Sequence, residues 1–229
     1  MVKAYCHKFR GDSDVARSRQ SFLLDFLSGC HKVLDVGCGR GELLEMLREL
    51  GIKAVGVDCD PDMINICQKA DLDVWREDFF SFTASDATYD GIVASHVIEH
   101  LTCPDAEKLL CRSFDILNPG GKLIVVTPNP TNLGVITNVF WLDLTHVRPY
   151  PPELLIEMFI DVGFEIESSG GDPLYSRPAW KNFLKQRVIG SILSMTGLGQ
   201  LRRNLFSAAS IYVVGKKPLS RTIGRQCTS

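Results

Sequence analysis

The chain of 229 residues has no excess of charge of either sign and no long apolar segment. Its 25 Lys and Arg residues face 27 Asp and Glu residues, for a formal net charge of -2, so the whole protein has no electrostatic attraction for nucleic acid. No run approaches the roughly 18 apolar residues of a membrane span, and the charged first ten residues contain no apolar targeting segment. We expect a cytoplasmic protein with no transmembrane segment and no nucleic-acid partner.

The cysteines form neither a disulfide framework nor a metal motif. There are eight, at positions 6, 30, 38, 59, 67, 103, 111 and 227, without a C-x-x-C pair, and several lie in apolar stretches. This pattern predicts reduced core thiols. The histidines have no metal-ligand spacing with the cysteines, so we expect no metal site.

What the sequence does contain is an alternation of apolar and amphipathic runs from residue 32 onward. Apolar runs at 32–36, 53–57, 72–75, 91–95 and 122–127 alternate with amphipathic segments, and later come a helix at 152–162 and strands near 164–167 and 210–216. This order predicts a doubly wound α/β fold with a mostly parallel sheet. We expect an N-terminal helical cap over 1–29 with one helix at 14–28, a core domain over 30–217 with an insert at 172–207, and a flexible tail over 218–229.

Three glycines at alternate positions follow the first predicted strand. Gly37, Gly39 and Gly41 stand where that strand meets a helix, and glycine allows a ligand to approach the main chain next to free helix N–H groups. A dinucleotide fingerprint needs its third glycine at position 42, where this chain has Glu42, a carboxylate facing the place of a pyrophosphate. The turn therefore indicates a ligand other than NAD or FAD.

Acidic residues follow the second and third predicted strands. Asp58 comes 21 residues after Gly37, and a carboxylate there can accept both hydroxyls of a ribose. After the third strand, Asp78 can accept from an adenine amino group and Phe79 can lie against the base. Each feature alone also fits a tight turn or a helix cap, but their order along the chain predicts a nucleoside site.

These segments together resemble the class I S-adenosylmethionine-dependent methyltransferases over about residues 30–217. The motifs are DVGCGRGE (35–42), VGVD (55–58), EDF (77–79), DGIVASHVIEHL (90–101) and NPGGKL (118–123). The resemblance implies a seven-stranded sheet whose last strand is antiparallel, with S-adenosyl-L-methionine across the carboxyl ends of the first strands. The implied cofactor contacts are, at the methionine half, Asp35, Gly37, Cys38, Gly39 and Gly41; at the ribose, Asp58; at the adenine, Asp78 and Phe79; and near the sulfonium, Ser95 and His96. Cys59 and Met63 complete the predicted cofactor-binding set.

The segment after the fifth strand supplies candidates for the acceptor side. His146 is the first candidate base, with Asp143 as its orienter, and Arg148 is a candidate anion contact. Alternatively, His146 only holds a proline-rich loop. His96 lies close to the expected methyl path as a further catalytic candidate, although with Glu99 and His100 it also fits a capping or packing role. Asn129, Arg148 and Tyr150 complete the predicted substrate contacts.

A narrower resemblance concerns the acceptor. The motifs TPNP (127–130), DLTHVRP (143–149) and PPEL (151–154), with FRG (9–11) and Arg19 near the start, are similar to methyltransferases of bacterial surface-glycan gene clusters, including those of O-antigen chain-terminating enzymes. By that resemblance Arg19 reaches the methionine carboxylate, and the acceptor is a glycan or sugar phosphate. A small natural product or quinone hydroxyl, and a non-catalytic binding protein, remain alternatives. The insert could contact a membrane surface, and the oligomeric state stays open.

Overall fold

The computed structural model describes residues 12–83, 88–173 and 207–220, and these residues form a layered α/β structure. The strands are β1 (Lys32–Val36), β2 (Lys53–Val57), β3 (Val74–Trp75), β4 (Tyr89–Ser95), β5 (Leu117–Pro128), β6 (Glu165–Gly171) and β7 (Ser210–Lys216). The helices are α1 (Ser13–Gln20), α2 (Leu23–Leu27), α3 (Glu42–Glu49), α4 (Pro61–Lys69), α5 (Cys103–Ile116), α6 (Leu133–Thr137) and α7 (Pro152–Val162), with short 3-10 turns at Ile98–His100 and Val139–Leu142.

The seven strands form one sheet in the order β3-β2-β1-β4-β5-β7-β6. The pairs from β3 through β5 are parallel, whereas β7 runs antiparallel to both β5 and β6. This confirms the predicted doubly wound, Rossmann-like fold with an antiparallel last strand. The order reverses between β1 and β4, and the crevice at such a point is where open α/β sheets bind ligands.

Helices cover both faces of the sheet because successive strand residues point to opposite sides. On one face Leu34 and Val125 pack in a buried cluster with residues of α5 and α7. On the other face Val33 and Ile124 pack with residues of α2 and α3. The central strands are therefore buried on both sides, and the carboxyl ends of the parallel strands carry the loops that form the site.

Element bounds agree with the sequence most closely where local signals are strong. The helix at Pro152–Val162 ends at Gly163, which has a φ of 112°, and β7 spans Ser210–Lys216; both match the predicted ranges. The predicted helix at 14–28 is instead two helices, α1 and α2, because the chain turns at residues 21–22. Most of the predicted insert, including Arg177, Trp180, Lys181 and Lys185, and residues 221–229 of the tail lie outside the described residues.

The cysteines differ in part from the prediction. Cys30, Cys38 and Cys67 are free and buried, but Cys59 and Cys103 are free and exposed. Cys111 is in a disulfide bond, so the prediction of reduced core thiols is wrong at that position and at the exposed ones. Among the described helices, none has the length and hydropathy needed to cross a bilayer.

Candidate active site

The glycine turn after β1 has the backbone that the sequence predicts. Gly37, Gly39 and Gly41 have φ values of 70°, 56° and 83°, in the left-handed region that favours glycine. A Cβ placed on Gly37 would lie 2.6 Å from Cγ2 of Val97. The turn therefore lies against the loop that follows β4, and a side chain at position 37 would separate the two.

Asp58 joins the end of β2 to this turn. Its Oδ2 accepts a hydrogen bond from the main-chain N–H of Gly39 at 2.9 Å, and its Oδ1 accepts from that of Asp60 at 2.8 Å. The side chain is half-buried, and each carboxylate oxygen keeps a further acceptor site. The acid that the sequence assigns to a ribose is thus fixed next to the glycine turn.

Two buried acids lie at the same end of β1. Asp35 is 3% exposed, and burial, followed by the charges of Asp58, Cys67 and Glu42, raises its pKa well above the ordinary value. None of the described residues donates a hydrogen bond to the Asp35 carboxyl group that would offset the cost of burying its charge. By contrast, Glu42 accepts from Arg40 Nε at 2.7 Å and from Ser13 Oγ at 3.2 Å, so its carboxylate has hydrogen-bond donors within the protein.

The predicted adenine side is only partly open. Asp78 is exposed, and its Oδ1 accepts from the N–H of Phe80 at 2.8 Å. Phe79 is 6% exposed and lies under the guanidinium of Arg112, which is 5.5 Å from the ring centroid. Met63 is buried on α4, whereas the exposed Cys59 directs its thiol at the carbonyl of Glu77. Asp78 and Cys59 therefore offer surface to a ligand, and Phe79 and Met63 offer little.

His96 and Glu99 form a hydrogen-bonded pair just beyond β4. His96 follows Ser95, the half-buried last residue of β4, and has a φ of 58°, an unusual value for a residue with a side chain. Its Nδ1 lies 2.9 Å from Oε1 of Glu99, and Oε2 of Glu99 accepts from the Thr127 hydroxyl at 3.1 Å. The imidazole is 50% exposed and the carboxylate 0%.

The pair polarises both of its members. Burial alone would lower the pKa of His96, but the hydrogen bond and charge of Glu99 raise it above its usual value. Burial alone would raise the pKa of Glu99, but the hydrogen bond and charge of His96 lower it. A carboxylate accepts only, so in the neutral form of the ring Nδ1 of His96 carries the proton and Nε2 the lone pair.

The segment that contains His146 docks on the turn that contains Glu99. The N–H groups of Val147 and Arg148 donate to the Glu99 carbonyl at 2.8 Å and 3.3 Å. Nδ1 of His146 donates to the Phe140 carbonyl at 2.6 Å, as the loop-holding alternative predicts, and its Nε2 is left as the acceptor nitrogen. The carboxylate of Asp143 accepts from both the hydroxyl and the N–H of Thr145. The sequence predicted Asp143 as the orienter of His146 and did not predict this bond to Thr145.

Thr145 connects Asp143 to a histidine that was not in the predicted catalytic set. Its Oγ1 is 2.6 Å from Asp143 Oδ1 and 2.8 Å from Nδ1 of His100. Since the single hydroxyl proton goes to the carboxylate, Nδ1 of His100 is the donor to Thr145. Although the sequence has no metal-ligand spacing between its histidines and cysteines, the described residues bring Glu99, His100 and His146 together with ligand atoms within 4.8 Å of one another.

The three predicted substrate contacts are occupied within the protein. Tyr150 is fully buried and donates to the Leu101 carbonyl at 3.0 Å, and burial is the main cause that raises its pKa to about 12. Asn129 is 4% exposed and donates to the Ala208 carbonyl. The guanidinium of Arg148 contacts the Cys103 thiol and lies 5.0 Å from the Tyr150 ring centroid. This burial gives Tyr150 and Asn129 a role in holding the loops.

The N-terminal helix brings Arg19 toward His96. Arg17 pairs with Glu45 at 3.5 Å and with Glu49, which holds α1 against α3. Arg19 is exposed, and its charge lowers the pKa of His96, so the two side chains lie on the same side of the molecule. Tyr5, Phe9 and Arg10 lie outside the described residues.

An apolar surface lies next to the histidines. Five large apolar side chains on the segment 139–147, which we call the apolar strip, are between 40% and 64% exposed. The members of the apolar strip are Val139, Trp141, Leu142, Leu144 and Val147. Exposed apolar area this concentrated is typical of a binding surface.

Comparison with known proteins agrees with the geometry. A family model described as "Methyltransferase domain" matches residues 10–169. A solved S-adenosylmethionine-dependent methyltransferase from Archaeoglobus fulgidus is 31% identical, with a TM-score of 0.75 over 92% of this chain and 96% of that one. The chain belongs to the methyltransferase domain family, within the S-adenosylmethionine-dependent methyltransferases.

Two curated relatives carry the name of one biosynthetic route. The ubiquinone biosynthesis O-methyltransferase of Azorhizobium caulinodans is 35% identical over 170 residues, 66% of this chain and 65% of that protein. The mitochondrial protein of that name from Rattus norvegicus is 33% identical over 123 residues, 49% of this chain and 35% of that protein. The matched part of the chain thus spans about a third of the rat protein's length and about two thirds of the bacterial one.

The described residues fit S-adenosylmethionine as the cofactor. Asp35 is a buried carboxyl without a donor in the described part of the protein, and an amino group is the partner that such a site lacks. Asp58 keeps acceptor capacity for ribose hydroxyls beside Gly39. The glycine turn would hold the amino-acid end, and Asp58 the ribose.

Proposed function

We propose that the chain is an O-methyltransferase whose acceptor is a hydroxyl of a small, apolar metabolite of the phenol class. The observation that carries this proposal is the hydrogen bond between His96 and the buried Glu99, beside the glycine turn. It leaves an outward imidazole nitrogen at the carboxyl edge of the sheet, where an acceptor hydroxyl has to be deprotonated.

The reaction requires little of the protein beyond alignment and removal of one proton. When bound, S-adenosylmethionine would supply a methyl group on a positively charged sulfur; as an oxygen nucleophile bonds to the methyl carbon in line, the carbon–sulfur bond would break and the neutral thioether S-adenosylhomocysteine would leave. Nε2 of His96 takes the proton of the acceptor hydroxyl as that oxygen forms its bond to carbon. Glu99 holds the ring in the tautomer that this step needs, and its charge stabilises the imidazolium that results.

The chemistry of the pair favours a phenolic acceptor. A phenol ionises near pH 10, so a histidine can take its proton in a transition state, whereas a sugar hydroxyl is a far weaker acid. The apolar strip, in which Leu144 is 64% and Trp141 57% exposed, suits a ring or an alkyl chain better than a polar glycan. The names of the relatives, which refer to ubiquinone biosynthesis, support the same acceptor class.

Within residues 12–83, 88–173 and 207–220, no comparable observation favours the glycan or sugar-phosphate acceptor. An anionic acceptor needs a cationic clamp, but the guanidinium of Arg148 lies between the Cys103 thiol and the Tyr150 ring. The oxygen and nitrogen of Asn129 are likewise bonded to Thr131 and to the segment at 207–208.

The proposal is tested by titration calorimetry with S-adenosylmethionine and by transfer of a labelled methyl group to a panel of acceptors. We expect saturable binding of the cofactor, and transfer to catechols and alkylated phenols that exceeds transfer to free sugars and sugar phosphates at least tenfold. Transfer confined to the sugars or sugar phosphates would contradict the acceptor class. Binding without transfer to any acceptor would favour the non-catalytic alternative.

A further inference from the structure

We propose that Glu99, His100 and His146 form a binding site for a divalent transition-metal ion of the Zn²⁺ class. The carboxylate and the two imidazoles each offer one ligand atom, and these atoms lie within 4.8 Å of one another. Two neutral histidines and one carboxylate are a donor set that such ions favour.

The hydrogen bonds around the two histidines prepare them as ligands. Nδ1 of His146 donates to the Phe140 carbonyl at 2.6 Å, and Nδ1 of His100 donates to the Thr145 hydroxyl, which itself donates to Asp143. In both rings Nε2 therefore carries the lone pair. Histidine ligands are commonly oriented in this way, by a carbonyl or a carboxylate-linked partner on the other ring nitrogen.

The fold brings the two parts of the cluster together across 45 residues of sequence. Glu99 and His100 belong to the turn after β4, and Val147 N donates to the Glu99 carbonyl at 2.8 Å. The His100 and His146 rings are 4.8 Å apart between centroids. Glu99 is fully buried and accepts hydrogen bonds from His96 and Thr127, whereas both histidines are half-buried, so solvent or a ligand can reach the cluster through the two histidines.

The cluster needs only a small closure to hold an ion. Zn²⁺ lies about 2.0–2.1 Å from a histidine nitrogen, so two ligand atoms on one ion are at most about 4.2 Å apart. Atoms that now lie within 4.8 Å of one another therefore need to approach by only about 0.6 Å to reach that range. Three protein ligands leave at least one position for water or an oxygen ligand, the arrangement of catalytic rather than structural zinc sites.

The role of the site, though not its existence, rests on the proposed function. A divalent ion bound to Glu99 would lie beside the residue that orients His96. It could accept the oxygen of a phenolic acceptor and stabilise the negative charge that develops there. The ion would thus share with His96 the task of making the hydroxyl nucleophilic.

The test is metal binding by the untagged full chain, measured without reference to methyl transfer. Two quantities are measured: Zn²⁺ affinity by competition titration, and the visible absorption of bound Co²⁺. The proteins compared are the wild type, His100→Gln, His146→Gln and Thr145→Val. The control is His31→Gln, because His31 is an exposed histidine before β1. We expect one ion per chain, with the dissociation constant raised at least 10-fold by either ligand variant, about 10-fold by Thr145→Val, and not by His31→Gln.

Circular dichroism and cofactor titration show that each variant is folded before its metal affinity is compared. Absence of saturable binding to the wild type, or equal affinity in the folded ligand variants, would overturn the site. Cofactor binding and methyl transfer by metal-free protein would leave the proposed function intact while removing the ion from it. Metal binding without cofactor binding would support the metal site and contradict the proposed function.

Discussion

His96 Nδ1 lies 2.9 Å from Oε1 of Glu99, and the two residues differ sharply in exposure: half of the imidazole is open to solvent and none of the carboxylate is. A buried carboxylate that holds a surface imidazole fixes both the orientation and the tautomer of the ring. The left-handed backbone of His96, with a φ of 58°, places this ring at the end of β4. Such local strain is typical of functional positions.

Replacing His96 by glutamine tests its role as the base. We expect His96→Gln to lower kcat with a phenolic acceptor by about 10²- to 10⁴-fold, because the proton acceptor is lost. Affinity for S-adenosylmethionine should change less than about threefold. Initial rates and calorimetric titration measure the two effects, with His31→Gln as the matched control. Unchanged kcat would return His96 to the capping role.

Replacing Asp58 by asparagine tests the ribose contact. The carboxylate is fixed beside Gly39, and a hydrogen bond to a charged group contributes about 1.5–3 kcal/mol. We expect Asp58→Asn to weaken S-adenosylmethionine binding about 10- to 100-fold. Asp62→Asn, a change at an exposed acid on the neighbouring helix α4, is the control. Equal losses in the two variants would argue against a specific contact.

The stability of the cofactor-free protein should depend on pH through Asp35. Burial and the charges of Asp58, Cys67 and Glu42 raise its pKa well above the ordinary value, so the folded state binds this proton more tightly than the unfolded state. Asp35 therefore contributes most stability below its unfolded pKa, near 3.9, and that contribution is lost as the pH rises through the folded pKa.

Asparagine at this position cannot ionise, so Asp35→Asn should gain stability relative to the wild type as the pH is raised. Urea unfolding without cofactor, at intervals from pH 5 to pH 8, measures the difference in the free energy of unfolding. A difference that is constant over this range would show that Asp35 does not titrate as proposed.

Removing the Tyr150 hydroxyl separates a structural role from substrate binding. The hydroxyl donates to the Leu101 carbonyl from a fully buried position, and loss of such a bond costs about 1–2 kcal/mol. Tyr150→Phe should lower the free energy of unfolding by that amount and leave KM for the acceptor within about twofold. A large rise in KM without loss of stability would support the substrate contact predicted from the sequence.

The sequence predicts the sheet well because its signals are local. Alternating apolar runs mark β1 and β2, and the glycines at 37, 39 and 41 allow the left-handed turn that the structure contains. Helix α7 begins at Pro152 and ends before Gly163, two strong boundary signals. In contrast, β3 is only Val74–Trp75 rather than 72–75, a difference that apolar character alone does not reveal.

The acceptor side was less predictable because its contacts join distant segments. Asp143 lies three residues before His146, but its carboxylate turns back onto Thr145, a local bond for which the D-x-T sequence is a signal. Glu99 can orient His96 because it is held in a buried position. That position depends on the hydrogen bond from Thr127 and on the docking of residues 147–148 onto the Glu99 carbonyl. The three-residue spacing of His96 and Glu99 was the available signal, and it equally fits a capping role.

A crystal structure with S-adenosylhomocysteine and a phenolic acceptor tests the central claim most directly. The account predicts ribose hydroxyls on the Asp58 carboxylate, the amino-acid end at the glycine turn by Asp35, and the acceptor oxygen within hydrogen-bond distance of Nε2 of His96. A ribose bound away from Asp58, or an acceptor oxygen beyond the reach of His96, would contradict it.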